Sequence, residues 1–241
     1  RNDLPIELAF LPFIESSYDP FSISSSGAVG LWQIMPKTAE LLGLRENWWI
    51  EERHDPYKST DAAIRYIDYL YKRFNKDIYL ALVAYNAGPT FTSKAIQRNT
   101  RRTSALSYKD LPLSAQTRNY IPKFLALIEL INNNEKYNID LPEIPYSKVV
   151  DKISFEEQIE ILNFSDFLNL KPELLYKLNA GYTKWATDPN MVSTFYIPIE
   201  SKINYERNGQ EYIQSQKINW ISHDVSRGES LWVFCLLYTS P

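Results

Sequence analysis

The sequence predicts a mainly helical domain of the α+β class over residues 1–138, followed by a small β-α-α-β module. Three observations carry this. Apolar residues recur at helical spacing through the first half of the chain, a stretch with Pro142 and Pro145 interrupts them, and short strand-like runs then flank two helical ones. With 241 residues, 44% hydrophobic and 23% charged, the chain is long enough to bury one large core or two smaller ones.

The first element is the dense apolar run Leu4 to Ile14, with Asp3 as cap, Pro5 near the first helical position and Pro12 as a bend. Leu4, Leu8, Leu11 and Glu15 share one stripe, so Glu15 is expected at the rim of the core. Ser22-Ile23-Ser24-Ser25-Ser26-Gly27 is turn chemistry, and Gly27 and Gly30 permit close backbone approach. Trp32-Gln33-Ile34-Met35 then leads to Pro36, which opens a helix through Leu42. Ser59 to Phe74 reads as a long amphipathic helix with Ala63, Ile67, Leu70 and Phe74 inward, and Ile78 to Tyr85 and Phe91 to Gln97 as shorter ones. Asn86 and Gly88 are natural helix stops. Asn99 to Pro112 reads as a polar loop carrying Arg101 and Arg102. A last helix, Ser114 to Asn132, bears Tyr120 near its start and packs through Phe124, Leu127, Ile128 and Ile131.

Glu15 is the chemically interesting carboxyl. Apolar walls disfavour its charged form, raise its pKa and let it keep a proton near neutral pH, which is what a general acid for a glycosidic bond requires. A capping or solvated glutamate is the competing reading. Asp19, before Pro20, and Asp55, in His54-Asp55-Pro56-Tyr57, read as turn or cap residues rather than as a second catalytic carboxyl.

Four ordered motifs narrow the choice: Glu15-Ser16-Ser17; Ser26-Gly27-Ala28-Val29-Gly30-Leu31-Trp32-Gln33-Ile34-Met35-Pro36; Ala84-Tyr85-Asn86-Ala87-Gly88-Pro89; and Thr117-Arg118-Asn119-Tyr120-Ile121-Pro122-Lys123. Together they resemble the catalytic domain of soluble-type lytic transglycosylases, most of all the membrane-bound lytic murein transglycosylase D group, over roughly residues 1–135. The resemblance implies a lysozyme-like helical domain and a peptidoglycan substrate, cut between N-acetylmuramic acid and N-acetylglucosamine with formation of a 1,6-anhydro sugar. It assigns Glu15 as the single acid/base. Ser26, Gln33, Tyr85 and Asn86 would line the glycan cleft, with Tyr120 close to the glutamate. Substrate assistance removes the need for a second carboxyl. It also implies export to the periplasm or cell envelope, with outer-membrane anchoring through a segment upstream of Arg1 as one form of it.

Residues 139–148 read as a linker. Beyond it, Val149 to Ile153 and Thr194 to Pro198 read as strands and Phe155 to Leu162, Asp166 to Leu168 and Pro172 to Asn179 as helical. This order over 149–205 resembles a degenerate LysM-type glycan-binding module, and a plain structural annex fits equally well. Residues 206–241 read as a linker and the start of a truncated LysM-like repeat around Asp224 to Trp232; Phe234 to Pro241 fits no such repeat and reads as a scar.

A net charge of −3 gives no basic footprint for nucleic acid or an anionic membrane, so hydrogen bonds and stacking on the 17 Tyr, 11 Phe and 6 Trp must carry glycan affinity. Trp48 and Trp49 read as rim or core packing, with a place flanking the cleft as the alternative. The lone Cys235 excludes an intrachain disulfide, and with His54 and His223 isolated no metal site or cofactor is expected. No stretch has the apolar length of a spanning helix. Two rivals remain open: a goose-type-like lysozyme that delivers water to the same bond, and a non-catalytic peptidoglycan-binding protein.

Overall fold

The computed structural model describes residues 4–100, 107–144 and 146–216, together with positions 218, 228 and 230. Asp3, Arg101, Arg102, the Asp224 to Trp232 motif apart from Gly228 and Ser230, and the tail from Phe234 lie outside the described residues.

The first apolar run is two elements rather than one bent helix. A 3-10 turn spans Ile6–Phe10 after Pro5, and helix α1 spans Leu11–Ser16 with Pro12 in its first turn. Proline has no N–H to continue a preceding helix but loses nothing where the N–H would be unpaired anyway, so Pro12 starts a helix instead of kinking one. Leu8 and Leu11 are buried and Leu4 packs against the same core, which puts Glu15 at the core's rim.

Helix α2 is Pro36–Leu42, ended by Gly43 in the left-handed region, and α3 is Pro56–Arg73. Asp55 caps α3, accepting from the Tyr57 and Lys58 amides at 2.9 and 3.0 Å, so the helix starts earlier than Ser59. Helix α4 is Ile78–Ala87; Leu80 to Ala84 are all buried, because a helix apolar on every side must be enclosed. Helices α3, α5 (Pro89–Thr100) and α6 (Ala115–Asn132) surround it. Gly88, at φ 90°, ends α4, and Asn86 lies inside the helix rather than capping it. A 3-10 turn at Tyr108–Asp110, held by a Ser107 capping box, shortens the expected loop, and Ser114 caps α6.

A second buried cluster gathers beyond residue 149. Strands β1 (Val150–Phe155) and β2 (Ser193–Pro198) pair antiparallel, with Ile153 opposite Phe195 and both buried. Between them lie α7 (Ile161–Phe167) and α8 (Pro172–Leu178). The observed order is thus β-α-α-β, but Phe155 ends the strand instead of opening a helix, because its side chain stacks on Phe195 and meets Phe164 edge-on in the buried ring cluster. Helix α9 (Ile199–Ser215) follows β2 directly and buries Ile213 on this cluster, so residues 206–215 are helical rather than linker. The two clusters meet through the turn before α3. The Glu51 amide donates to Gly181 O at 2.8 Å, the Thr183 amide to Trp49 O at 2.9 Å, and Tyr57 stacks on Tyr196 with ring centroids 3.5 Å apart. Among the described residues, no helix is long and apolar enough to cross a membrane.

Candidate active site

Glu15 stands in the last turn of α1, and α6 crosses this end of the chain so that the buried Tyr120 hydroxyl donates to Glu15 Oε1 at 2.5 Å. Burial around the carboxyl disfavours its anion more strongly than the tyrosine hydrogen bond favours it, and the pKa rises from 4.5 to about 7. The acid is therefore about half protonated at neutral pH. With Oε1 engaged by Tyr120, Oε2 is the oxygen on which a transferable proton belongs. Among the described residues, no other carboxylate contributes to this shift. Asp19 accepts from the Phe21 amide in a turn, and Asp55 caps α3, so both are structural as expected.

Tyr85, in the last turn of α4, presents a buried hydroxyl that donates to Trp32 O at 2.7 Å. It feels the charge of Glu15, which together with burial pushes its own pKa well up and keeps it a neutral donor. Tyr120 is pushed up by the same two causes. Glu15, Tyr85 and Tyr120, separated along the chain, thus form one electrostatic unit.

The loop from Pro20 to Met35 lies beside it. Ser16 Oγ donates to Leu31 O at 3.0 Å, tying the end of α1 to the loop. Val29 makes bridges to both Ile23 and Ile34, which folds the segment back on itself. Gly30, at φ 77°, backs onto Arg53: a Cβ there would stand 2.0 Å from Arg53 O. Gln33 is a non-glycine residue in the left-handed region, at φ 47°, and its Nε2 donates to Ser22 O and Gly30 O at 3.3 and 3.0 Å. Its Oε1 accepts no bond among the described residues. Ser26 is exposed and its hydroxyl meets that of Ser24 at 3.0 Å. Asn86 is half-buried, one residue after Tyr85. The structure therefore joins Glu15 directly to Tyr120, couples it electrically to Tyr85, and reaches the loop of Ser26 and Gln33 through Ser16 and Trp32.

Sequence reasoning missed the residues behind the loop. Arg53 and Glu51 are both buried and paired, with Nη2 to Oε2 at 2.6 Å, and Arg53 Nη1 donates to Gly27 O at 3.1 Å. Two opposite charges two residues apart in a polar stretch give no signal in the chain, since their burial depends on Gly30 and Gly181 closing over them. A cavity of about 720 Å³ lies elsewhere, lined by Leu8, Pro12, Tyr18, Trp32, Ile64 and neighbours, and includes none of the six expected site residues. Among the described residues, no group of three or more His, Cys, Asp or Glu is placed to hold a metal ion.

Comparison with known proteins shows what the chain is similar to. Residues 1–107 match the family described as Transglycosylase SLT domain. The chain is 33% identical over 181 residues to membrane-bound lytic murein transglycosylase D of Escherichia coli (strain K12), covering 75% of this chain and 40% of that protein. It is 35% identical over 98 residues to membrane-bound lytic murein transglycosylase E of Buchnera aphidicola subsp. Acyrthosiphon pisum (strain APS), covering 36% of this chain and 44% of that one. Among solved structures, the 70 kDa soluble lytic transglycosylase of Escherichia coli aligns at 27% identity and a TM-score of 0.44, over 52% of this chain and 21% of that one. The chain spans 40% of the length of the first of these relatives.

Proposed function

We propose that the chain is a lytic transglycosylase that cuts peptidoglycan between N-acetylmuramic acid and N-acetylglucosamine, a reading supported by the match of residues 1–107 to the family described as Transglycosylase SLT domain. One observation carries the reading: the Glu15 carboxyl is buried and braced by the Tyr120 hydroxyl, and burial raises its pKa to about 7 with no other carboxylate among the causes of the shift. A single acid suits a reaction in which the sugar supplies its own nucleophile.

In the proposed cycle Glu15 gives its proton to the bridging oxygen as the C1–O bond breaks, and the substrate's N-acetyl group shields the cationic C1. The muramoyl C6 hydroxyl then attacks C1, and its proton returns to Glu15. One C–O bond is broken and one formed, no water is consumed, and the acid is regenerated. Gln33 Oε1, the Ser26 hydroxyl and the Asn86 amide supply hydrogen bonds to the glycan, while Tyr85 and Tyr120 hold the acid and the backbone beside it. Such an enzyme acts outside the cytoplasmic membrane, in the periplasm or cell envelope.

Digestion of purified sacculi followed by mass spectrometry tests this. Anhydro ends, each lighter by one water than a reducing end, are expected. Reducing ends would mean hydrolysis of the goose-type kind, and intact glycan would leave a binding protein.

A further inference from the structure

We propose that Arg53 is a positioning residue for the glycan-binding loop, holding Ser26 and Gln33 in place through the carbonyls of the residues that follow each of them. Its buried guanidinium has two working ends. Nε and Nη2 meet the Glu51 carboxylate at 3.0 and 2.6 Å, a fork-on-fork pairing that fixes the plane of the group. Nη1, at the other end, donates to Gly27 O at 3.1 Å and Ile34 O at 3.4 Å. Gly27 follows Ser26 and Ile34 follows Gln33, so one nitrogen pins the two ends of the segment that carries both expected glycan contacts.

The backbone of the same turn completes the clamp. Arg53 O lies against Gly30, and His54 Nδ1 meets Pro20 O at 2.6 Å, so the loop is held at its start, its middle and its end by residues 53 and 54. Glu51 is in turn fixed from behind: its amide donates to Gly181 O at 2.8 Å, which makes the second half of the chain a brace for the loop. A buried arginine is costly unless every donor is used, and here its bonds go to Glu51 and to the loop, with the exposed Glu46 carboxylate a second, looser ion-pair partner 3.5 Å from Nη2. Lysine cannot replace it, because one ammonium nitrogen cannot stand at both ends of the fork.

The inference rests on the reading of Glu15 as the acid that cuts glycan, and Arg53→Lys tests it in the full chain. With soluble glycan strands as substrate, KM is expected to rise about tenfold or more. The alkaline midpoint near pH 7 should stay in place, since Tyr120 and burial, not Arg53, set the Glu15 pKa. Hydrogen exchange at the amides of Val29, Gly30 and Ile34 should quicken while α4 stays protected. A KM within twofold of wild type, or a loss of kcat alone matching a smaller folded fraction, overturns the assignment, as does unchanged exchange in the loop. If Arg53→Lys does not fold, Glu51→Gln, which loosens the fork but leaves the arginine, should raise KM about threefold. Failure of both to fold would make the pair a folding element and overturn the proposal. A wild-type chain that does not cut glycan would sink the functional reading instead, and the exchange measurement would still report on the clamp.

Discussion

The Tyr120 hydroxyl donates to Glu15 Oε1 at 2.5 Å, across 105 residues of sequence, and so joins the second turn of α6 to the last turn of α1. This bond opposes the effect of burial on Glu15, because it favours the anion that burial disfavours. Its removal should therefore shift the acid in a known direction. In the wild type, kcat/KM is expected to hold level below pH 7 and fall tenfold per unit above it, as Glu15 loses its proton. Tyr120→Phe should move that midpoint up by about one unit, the worth of one hydrogen bond to a charged group. A pH–rate profile checks it, and a downward move would contradict the geometry.

Replacing the acid itself should stop the chemistry and leave binding. Glu15→Gln keeps the shape and can still accept from Tyr120, so a loss of about 10²–10⁴-fold in rate is expected with glycan affinity kept. Turnover of soluble glycan and co-sedimentation with sacculi measure the two separately.

The same variant should be more stable than the wild type in neutral and alkaline solution. The unfolded Glu15 releases its proton near pH 4.5 and the folded one near 7, so the folded state binds more protons between these values and loses stability as pH rises through that window. Glutamine carries no such loss. Urea unfolding is expected to show the variant ahead by roughly 1–3 kcal/mol at pH 8, with the gap closing toward pH 4.5. An equal gap at both values would contradict the raised pKa.

Gly30→Ala should damage the loop specifically. Its φ of 77° and the 2.0 Å approach of Arg53 O leave no place for a methyl group. The backbone conformation alone costs about 1–3 kcal/mol, and a chain of this length drops roughly 2–4 °C in Tm per kcal/mol. Gly27→Ala, where a Cβ meets nothing within 4 Å, should be the milder of the two. Differential scanning calorimetry of the pair separates contact from backbone strain.

Tyr57 and Tyr196 join the two halves by stacking at 3.5 Å between ring centroids. Tyr196→Ala is expected to cost roughly 1–3 kcal/mol, from lost burial and ring contact together. Thermal unfolding should show the two halves losing their shared transition if this contact couples them.

Much of the helical half was legible in the chain. The stripe Ala63, Ile67, Leu70 and Phe74, the all-apolar run Leu80 to Ala84 and the proline at position 36 each state a local preference that burial then rewards, and each lies where periodicity placed it. Pro12 was misread because one proline can bend a helix or begin one, and the choice depends on what the preceding turn packs against. Helix α9 went unread because its exposed, polar face resembles a linker until Ile213 meets the sheet.

By itself the chain determined which groups are available: one glutamate on an apolar stripe, a loop of serines and glycines, and tyrosines on later helices. Tertiary structure alone decided what those groups are worth. A carboxyl's proton affinity depends on the walls and donors around it, and here both come from helices distant in sequence. The Arg53 clamp shows the same dependence, since a buried ion pair exists only after other segments have closed over it.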